Sequence, residues 1–172
     1  MLISCGPPTL YTYFTGNLAI RCRNPCIYST FMTFTSSASI VIKAPAKKIW
    51  DALTLPEHVK EYFFGTNLDT TWEVGTPIYF RGEWNGKPYE DKGTVLAFVP
   101  LKNLSYNYWS PFSGMEDKEE LYQILSYELA EVPEGIQVTI TQSNVDTEER
   151  ANHSAENWKK VLEGLKKYVE AV

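Results

Sequence analysis

The first thing missing from this chain is charge of either kind at its start. From Met1 to Ile42 there is no Asp, Glu or Lys, and Arg21 and Arg23 are the only charged side chains. All three cysteines (Cys5, Cys22, Cys26) fall in that segment, so nothing beyond it can form a disulfide or a thiolate metal site. No run approaches the roughly 20 uninterrupted apolar residues that a membrane-spanning helix needs. Histidine is scarce too, with only His58 and His153. Both are expected at the surface, and a His/Cys metal cluster or a Ser/His/acid triad cannot be assembled from them. No Gly-rich phosphate loop or dinucleotide fingerprint occurs, which argues against nucleotide-dependent catalysis. A dense basic face is absent as well. The net charge is −5, with Lys interleaved among Asp and Glu, and this excludes a nucleic-acid backbone as the main partner.

The acid-poor head has three readings, of which a secretory signal is set aside because "MLISCGPPTLYTYF" has neither a basic start nor an apolar central run. A targeting segment is one, although "CGPP" and "NPC" interrupt any amphipathic helix. The preferred expectation is that Met32 is the natural start and residues 1–31 an extension, with residues 1–36 lying outside a single domain over 37–172. Taking Arg21 and Arg23 from the 16 basic residues leaves 14 against 21 acidic ones, a net of −7 for a cysteine-free body. The expected compartment is the cytoplasm.

What remains is a globular composition, 44% hydrophobic and 22% charged. "SASIVIKAP" alternates into a β-branched run and predicts a strand over 37–43, after which Pro45 can open a helix. "PAKKIWDALT" and "LPEHVKEYFFG" then read as two short helices, each begun by proline, the second stopped by Gly65. From Leu68 to Gln142 the period falls to two, and turn residues divide the segment into about six antiparallel strands. Asn85-Gly86 is a type I′ hairpin signal, and "VPEG" at 132–135 is a second, looser one. At the end, Ala151, Ala155, Trp158, Leu162, Leu165 and Val169 recur at steps of three and four, predicting a helix over about 147–171. Asp146 with Glu149 resembles a capping box at its start.

Strand parity puts Leu104, Tyr106 and Tyr108 on one face, together with Gln123, Leu125, Tyr127 and Leu129, and with Val138, Ile140 and Gln142. Aromatic residues crowd the same sheet, Phe80 among them. Leu, Val and Ile there are expected to be core. Buried Tyr hydroxyls and Gln amides are costly unless bonded, so Tyr106, Tyr108, Gln123, Tyr127 and Gln142 imply an internal polar network or a wet pocket. Either would orient a mostly apolar ligand with a polar end. Ala151 and Ala155 ahead of Trp158 thin the helix stripe and are expected to leave that space open. The carboxylates Glu57, Glu61, Glu83, Glu90, Asp91 and Glu128 are expected on solvated faces. An acid/base role for any of them would require a buried carboxyl with a raised pKa.

Three blocks, "IVIKAPAKKIWDALTLPEHVKEYF", "FVPLKNLSYNYW" and "NWKKVLEGLKKYVE", resemble the START-like (SRPBCC, helix-grip) superfamily. Within it they resemble the branch named for homologues of the activator of heat-shock protein 90 ATPase. The resemblance implies an α+β fold in which a curved antiparallel sheet of six to seven strands grips a long C-terminal helix, often around a cavity for an apolar small molecule. The pocket set is then Phe80, Tyr106, Tyr108, Gln123, Leu125, Tyr127, Val138, Ile140, Gln142, Ala151, Ala155 and Trp158, with no cofactor or metal expected. The partner is a small hydrophobic molecule, the chain being a monomer or homodimer. Two alternatives stay open: a chaperone-regulating interaction module, and an enzyme of the cyclase or hydratase kind that uses pocket Tyr and carboxylate groups.

Overall fold

In the computed structural model, residues 33–171 are described. Residues 1–31, Met32 and the three cysteines lie outside them.

The described residues begin with β1 (Phe34–Ile42), followed by α1 (Ala46–Thr54) and α2 (Pro56–Tyr62). Six strands come next: β2 (Asn67–Thr70), β3 (Pro77–Trp84), β4 (Lys87–Val99), β5 (Asn103–Trp109), β6 (Gln123–Val132) and β7 (Gly135–Val145). The long helix α3 (Glu148–Ala171) closes the chain. All seven strands form one antiparallel sheet in the order β1-β7-β6-β5-β4-β3-β2. This is the helix-grip arrangement.

β1 starts at Phe34, three residues ahead of the sequence expectation, because Phe34 and Ser36 find partners in Val145 and Gln142 of β7. The predicted hairpin at Asn85-Gly86 is present, with both residues at positive φ (51° and 75°) as a type I′ turn requires. At the other hairpin Val132 pairs with Gly135, whose φ of 144° only glycine adopts freely.

The start of α3 differs from the capping box expected at Asp146. Thr147 is the cap: its side-chain oxygen accepts from the Arg150 amide at 3.3 Å, and its carbonyl from the Ala151 amide at 3.0 Å. Asp146 faces sideways and pairs with the Arg150 guanidinium at 3.1 Å. Thr147→Ala should therefore lower stability by about 1 kcal/mol in a urea titration, whereas Asp146→Ala should cost less than half of that, as an exposed pair one helical turn apart does.

The apolar stripe of α3 packs mainly along β1 and β7. Leu162, Leu165 and Val169 are each 1% exposed, and burial of such side chains is worth roughly 1.5–3 kcal/mol apiece. Two polar ties hold the C-terminal half in register: Lys166 donates to the Val41 carbonyl at 2.9 Å, and Glu170 accepts from the Lys43 amide at 2.9 Å. Helices α1 and α2 plug the same end of the sheet. Trp50 packs on Phe98 with centroids 5.3 Å apart, and the Trp72 indole donates to the Thr54 carbonyl at 2.9 Å. His58, expected at the surface, is half-buried there, 2.7 Å from the Tyr168 hydroxyl. α3 lies over the β1 and β7 side and α2 reaches β2, so the strands between them are covered at the end where the three helices meet and open towards the other. The open end carries the site.

Candidate functional site

The parity argument places the inward faces as expected. Leu104, Tyr106, Leu125, Tyr127, Val138, Ile140 and Gln142 are all buried. They do not share one empty space, however. Leu125, Val138 and Ile140 are core, and Tyr106 and Tyr127 border only a crevice of about 20 Å³ with their hydroxyls 3.3 Å apart. Trp158 is packed into the same core. Its ring stacks on Phe63 and meets Tyr127 edge-on, with centroid distances of 6.2 Å and 6.3 Å.

A separate cleft of about 590 Å³ opens beyond this core, and Trp158 is not among its lining residues. Four residues of the predicted set line it: Phe80, Tyr108, Gln123 and Gln142. Ala151, Ala155 and Trp158 do not, which corrects the expectation that the small residues of α3 open the pocket. The helix presents Arg150, His153, Ser154 and Asn157 instead. These positions form their own stripe at steps of three and four, rotated away from the apolar stripe that β1 and β7 bury. His153 is exposed, as expected, but stands at this edge.

Three further walls escaped the sequence reading. Phe63, Phe64 and Thr66 follow α2, and the Thr66 hydroxyl lies 2.7 Å from that of Tyr89. β3 and β4 add Trp84, Tyr89 and Asp91 beside the expected Phe80. The β5–β6 connection contributes Ser110, Phe112, Ser113, Met115 and Leu121. That connection is fastened by side chains. The Trp109 indole donates to the Met115 carbonyl at 2.9 Å, Asp117 accepts from Lys92 and from the Tyr122 hydroxyl at 2.6 Å each, and Asn144 donates to the Tyr122 carbonyl at 2.7 Å. Phe64, Trp84 and Phe112 stay 65%, 55% and 55% exposed at the rim.

The floor is a polar chain. The Trp158 indole N–H donates to Gln142 Oε1 at 2.5 Å, and Gln142 Nε2 donates to Gln123 Oε1 at 2.5 Å and to the Tyr108 hydroxyl at 3.3 Å. Tyr108 in turn donates to Gln123 at 3.1 Å. The Gln142 amide, 2% exposed, uses both of its ends here. Of the two options left open by the sequence, the internal network is therefore present, and it borders the cleft.

Burial holds the phenols in their neutral form. Tyr106 is raised well above its ordinary value, Tyr108 is raised, and Tyr127 is raised to about 12. They can donate hydrogen bonds near neutral pH but cannot serve as bases.

Asp91 departs from the solvated role expected of it. Burial raises its carboxyl to about 6, the Ser110 side chain beside it acting in the opposite direction, and Oδ1 is buried without a partner. It thus meets the condition set above for exchanging a proton near neutral pH. Its position was legible in principle. Asp91 faces Phe80 across β3 and shares parity with buried Val95, so counting back from Val95 turns it inward. Gly93 lies opposite Tyr108, which brings Asp91 level with Ser110 two residues along.

Among the described residues there is no cluster of three or more His, Cys, Asp or Glu side chains that could hold a metal. No helix among them is long and apolar enough to cross a membrane.

Comparison with known proteins decides the lineage. A profile of the family described as "Activator of Hsp90 ATPase homolog 1-like protein" matches residues 43–170. The chain belongs to this family. No curated protein matches the sequence. Among solved structures, the solution structure of ChR145 from Cytophaga hutchinsonii is 43% identical, with a TM-score of 0.70 over 80% of this chain and 94% of that one. The Aha1 dimer from Colwellia psychrerythraea is 23% identical, with a TM-score of 0.61 over 80% of this chain and 96% of that one. DynU16, from the dynemicin biosynthetic locus, is 17% identical with a TM-score of 0.66, and the match covers 79% of this chain but 47% of that protein. The last two likenesses establish the fold alone.

Proposed function

We propose that this Activator of Hsp90 ATPase homolog 1-like domain binds a small, mostly apolar molecule in the cleft between the β3–β6 half of the sheet and the N-terminal half of α3. The observation that carries this reading is the cleft itself. At about 590 Å³ it falls within the roughly 300–1,000 Å³ typical of small-molecule sites. Aromatic rings line its walls, and a few converging polar groups occupy its floor: Tyr108, Gln123 and Gln142. A ligand would replace water on the rings and orient its polar end by the hydrogen-bond chain. The fold of the family supports the reading.

Two substitutions on neighbouring helix positions test it. Ser154→Trp should fill the cleft and weaken ligand binding by more than about tenfold, while Ala155→Trp, one residue round the helix, should change it less than about threefold. Binding of a panel of small aromatic compounds, followed by amide chemical shifts in the full chain, reads the difference. Equal effects from both variants, or shifts away from cleft residues, would overturn the assignment.

A second reading is favoured by the family description: a module that docks on heat-shock protein 90 and modulates its ATPase. It is separated from the first by measuring ATPase stimulation with the Ser154→Trp variant. Undiminished stimulation would place any chaperone contact outside the cleft.

A further inference from the structure

One charged group in the cleft has a buried oxygen without a partner. Three buried side-chain oxygens among the described residues have no hydrogen-bond partner, Ser36 Oγ, Asp91 Oδ1 and Asn103 Oδ1. Of these, only the oxygen of Asp91 belongs to an ionisable residue, and only Asp91 lines the cleft. An unpaired carboxylate oxygen in such a place is unfavourable, and a donor arriving with a ligand would remove the penalty.

The other charged and titratable groups around the cleft do not supply that donor. Glu83 of β3 is exposed and of the same sign. Tyr89 of β4 is engaged with Thr66, and Tyr108 of β5 gives its proton to Gln123. On α3, Arg150 is the only arginine or lysine lining the cleft among the described residues, and both oxygens of Asp146 hold it, at 3.1 Å and 3.3 Å. His153 beside it is exposed. The remaining walls are uncharged, with aromatic rings prominent among them. The ring faces carry negative electrostatic potential, which attracts cations and repels carboxylates.

We infer that the ligand carries a protonated amine, which docks against Asp91 while its apolar or aromatic body lies among Phe80, Tyr89, Trp109 and Phe112. This inference rests on the cleft being the ligand site and deepens it by naming the chemical class. Asp91 supplies the anion, the orphaned Oδ1 accepts the ammonium proton, and the rings add cation–π attraction. An anionic ligand of the same shape is disfavoured by the same charge.

The test uses three compounds that share one ring and differ only in the terminal group: tryptamine (cation), tryptophol (neutral) and indoleacetate (anion). Each is titrated into the full chain by calorimetry or chemical-shift perturbation. At about pH 7.5 tryptamine should bind at least about tenfold more tightly than tryptophol, and indoleacetate should bind most weakly. At about pH 5, where Asp91 is largely protonated, the preference for tryptamine should shrink to about threefold or less. Asp91→Asn should erase the preference at both pH values. His153→Gln, which removes the imidazole at the cleft edge, should retain it. Equal affinities for tryptamine and tryptophol in the parent chain, a preference for indoleacetate, or a preference that survives in Asp91→Asn would overturn the amine assignment and leave the cleft standing. Failure of all three compounds to bind the parent chain would overturn both.

Discussion

Gln142→Leu is expected to lower the unfolding free energy by about 2–4 kcal/mol, although it places an apolar side chain in a buried position. The loss comes from the groups left behind. The Trp158 indole N–H loses its acceptor, and Gln123 and Tyr108 each lose a donor. A buried polar group stripped of its partner costs roughly 1–3 kcal/mol. Gln123→Leu should cost about 1 kcal/mol or less, because Gln123 is half-buried at the cleft edge and water can reach Tyr108 and Gln142 from that side. Urea titrations of the two variants side by side check the asymmetry. Similar losses in both would mean that the chain is not anchored at Trp158. The result bears on function because Gln142 ties Trp158 of the core to the cleft floor.

Asp91→Asn is expected to do the opposite in the ligand-free protein. The carboxyl is raised from 3.8 to about 6 in the folded state, so the folded protein holds its proton more tightly than the unfolded chain does. Stability from that proton is fully present below about pH 4 and is lost as pH rises through about 6. Above that the charged form is carried at a penalty of roughly 2–3 kcal/mol. Asparagine never ionises. The stability of Asp91→Asn relative to the parent should therefore rise by about 2–3 kcal/mol between pH 4 and pH 7 and then level off. Unfolding curves at several pH values measure this directly. A difference that does not vary with pH would show Asp91 to be solvated in the native state. A group that destabilises the empty protein and is kept in the cleft wall fits a role in holding a ligand, since binding removes the penalty.

The parts of the fold written locally could be read from the chain. Asn85-Gly86 demanded a hairpin, Pro45 and Pro56 opened helices, and the stripe from Trp158 to Val169 announced a buried helix face. Strand parity sorted Tyr106, Tyr108, Gln123, Tyr127 and Gln142 onto one side, where the structure has them. The location of the empty space could not be read in the same way. It depends on which strands α3 covers, and that is set by the curvature of the whole sheet and by contacts such as Lys166 to Val41, 125 residues apart. Once the helix settles over β1 and β7, Ala155 turns away and Ser154 faces the cleft, a rotation that periodicity alone does not fix. Asp91 was overlooked for a different reason. Carboxylates are solvated so often that residue type outweighed position, although Val95 four residues on already marked its face.

Native mass spectrometry of the full chain, purified from its own source under gentle conditions, tests the central claim most directly. The expected result is a population heavier than the polypeptide by the mass of one small molecule, present in the parent and in Ala155→Trp and absent in Ser154→Trp. A bare polypeptide mass in all three, or an adduct that survives in Ser154→Trp, would contradict it.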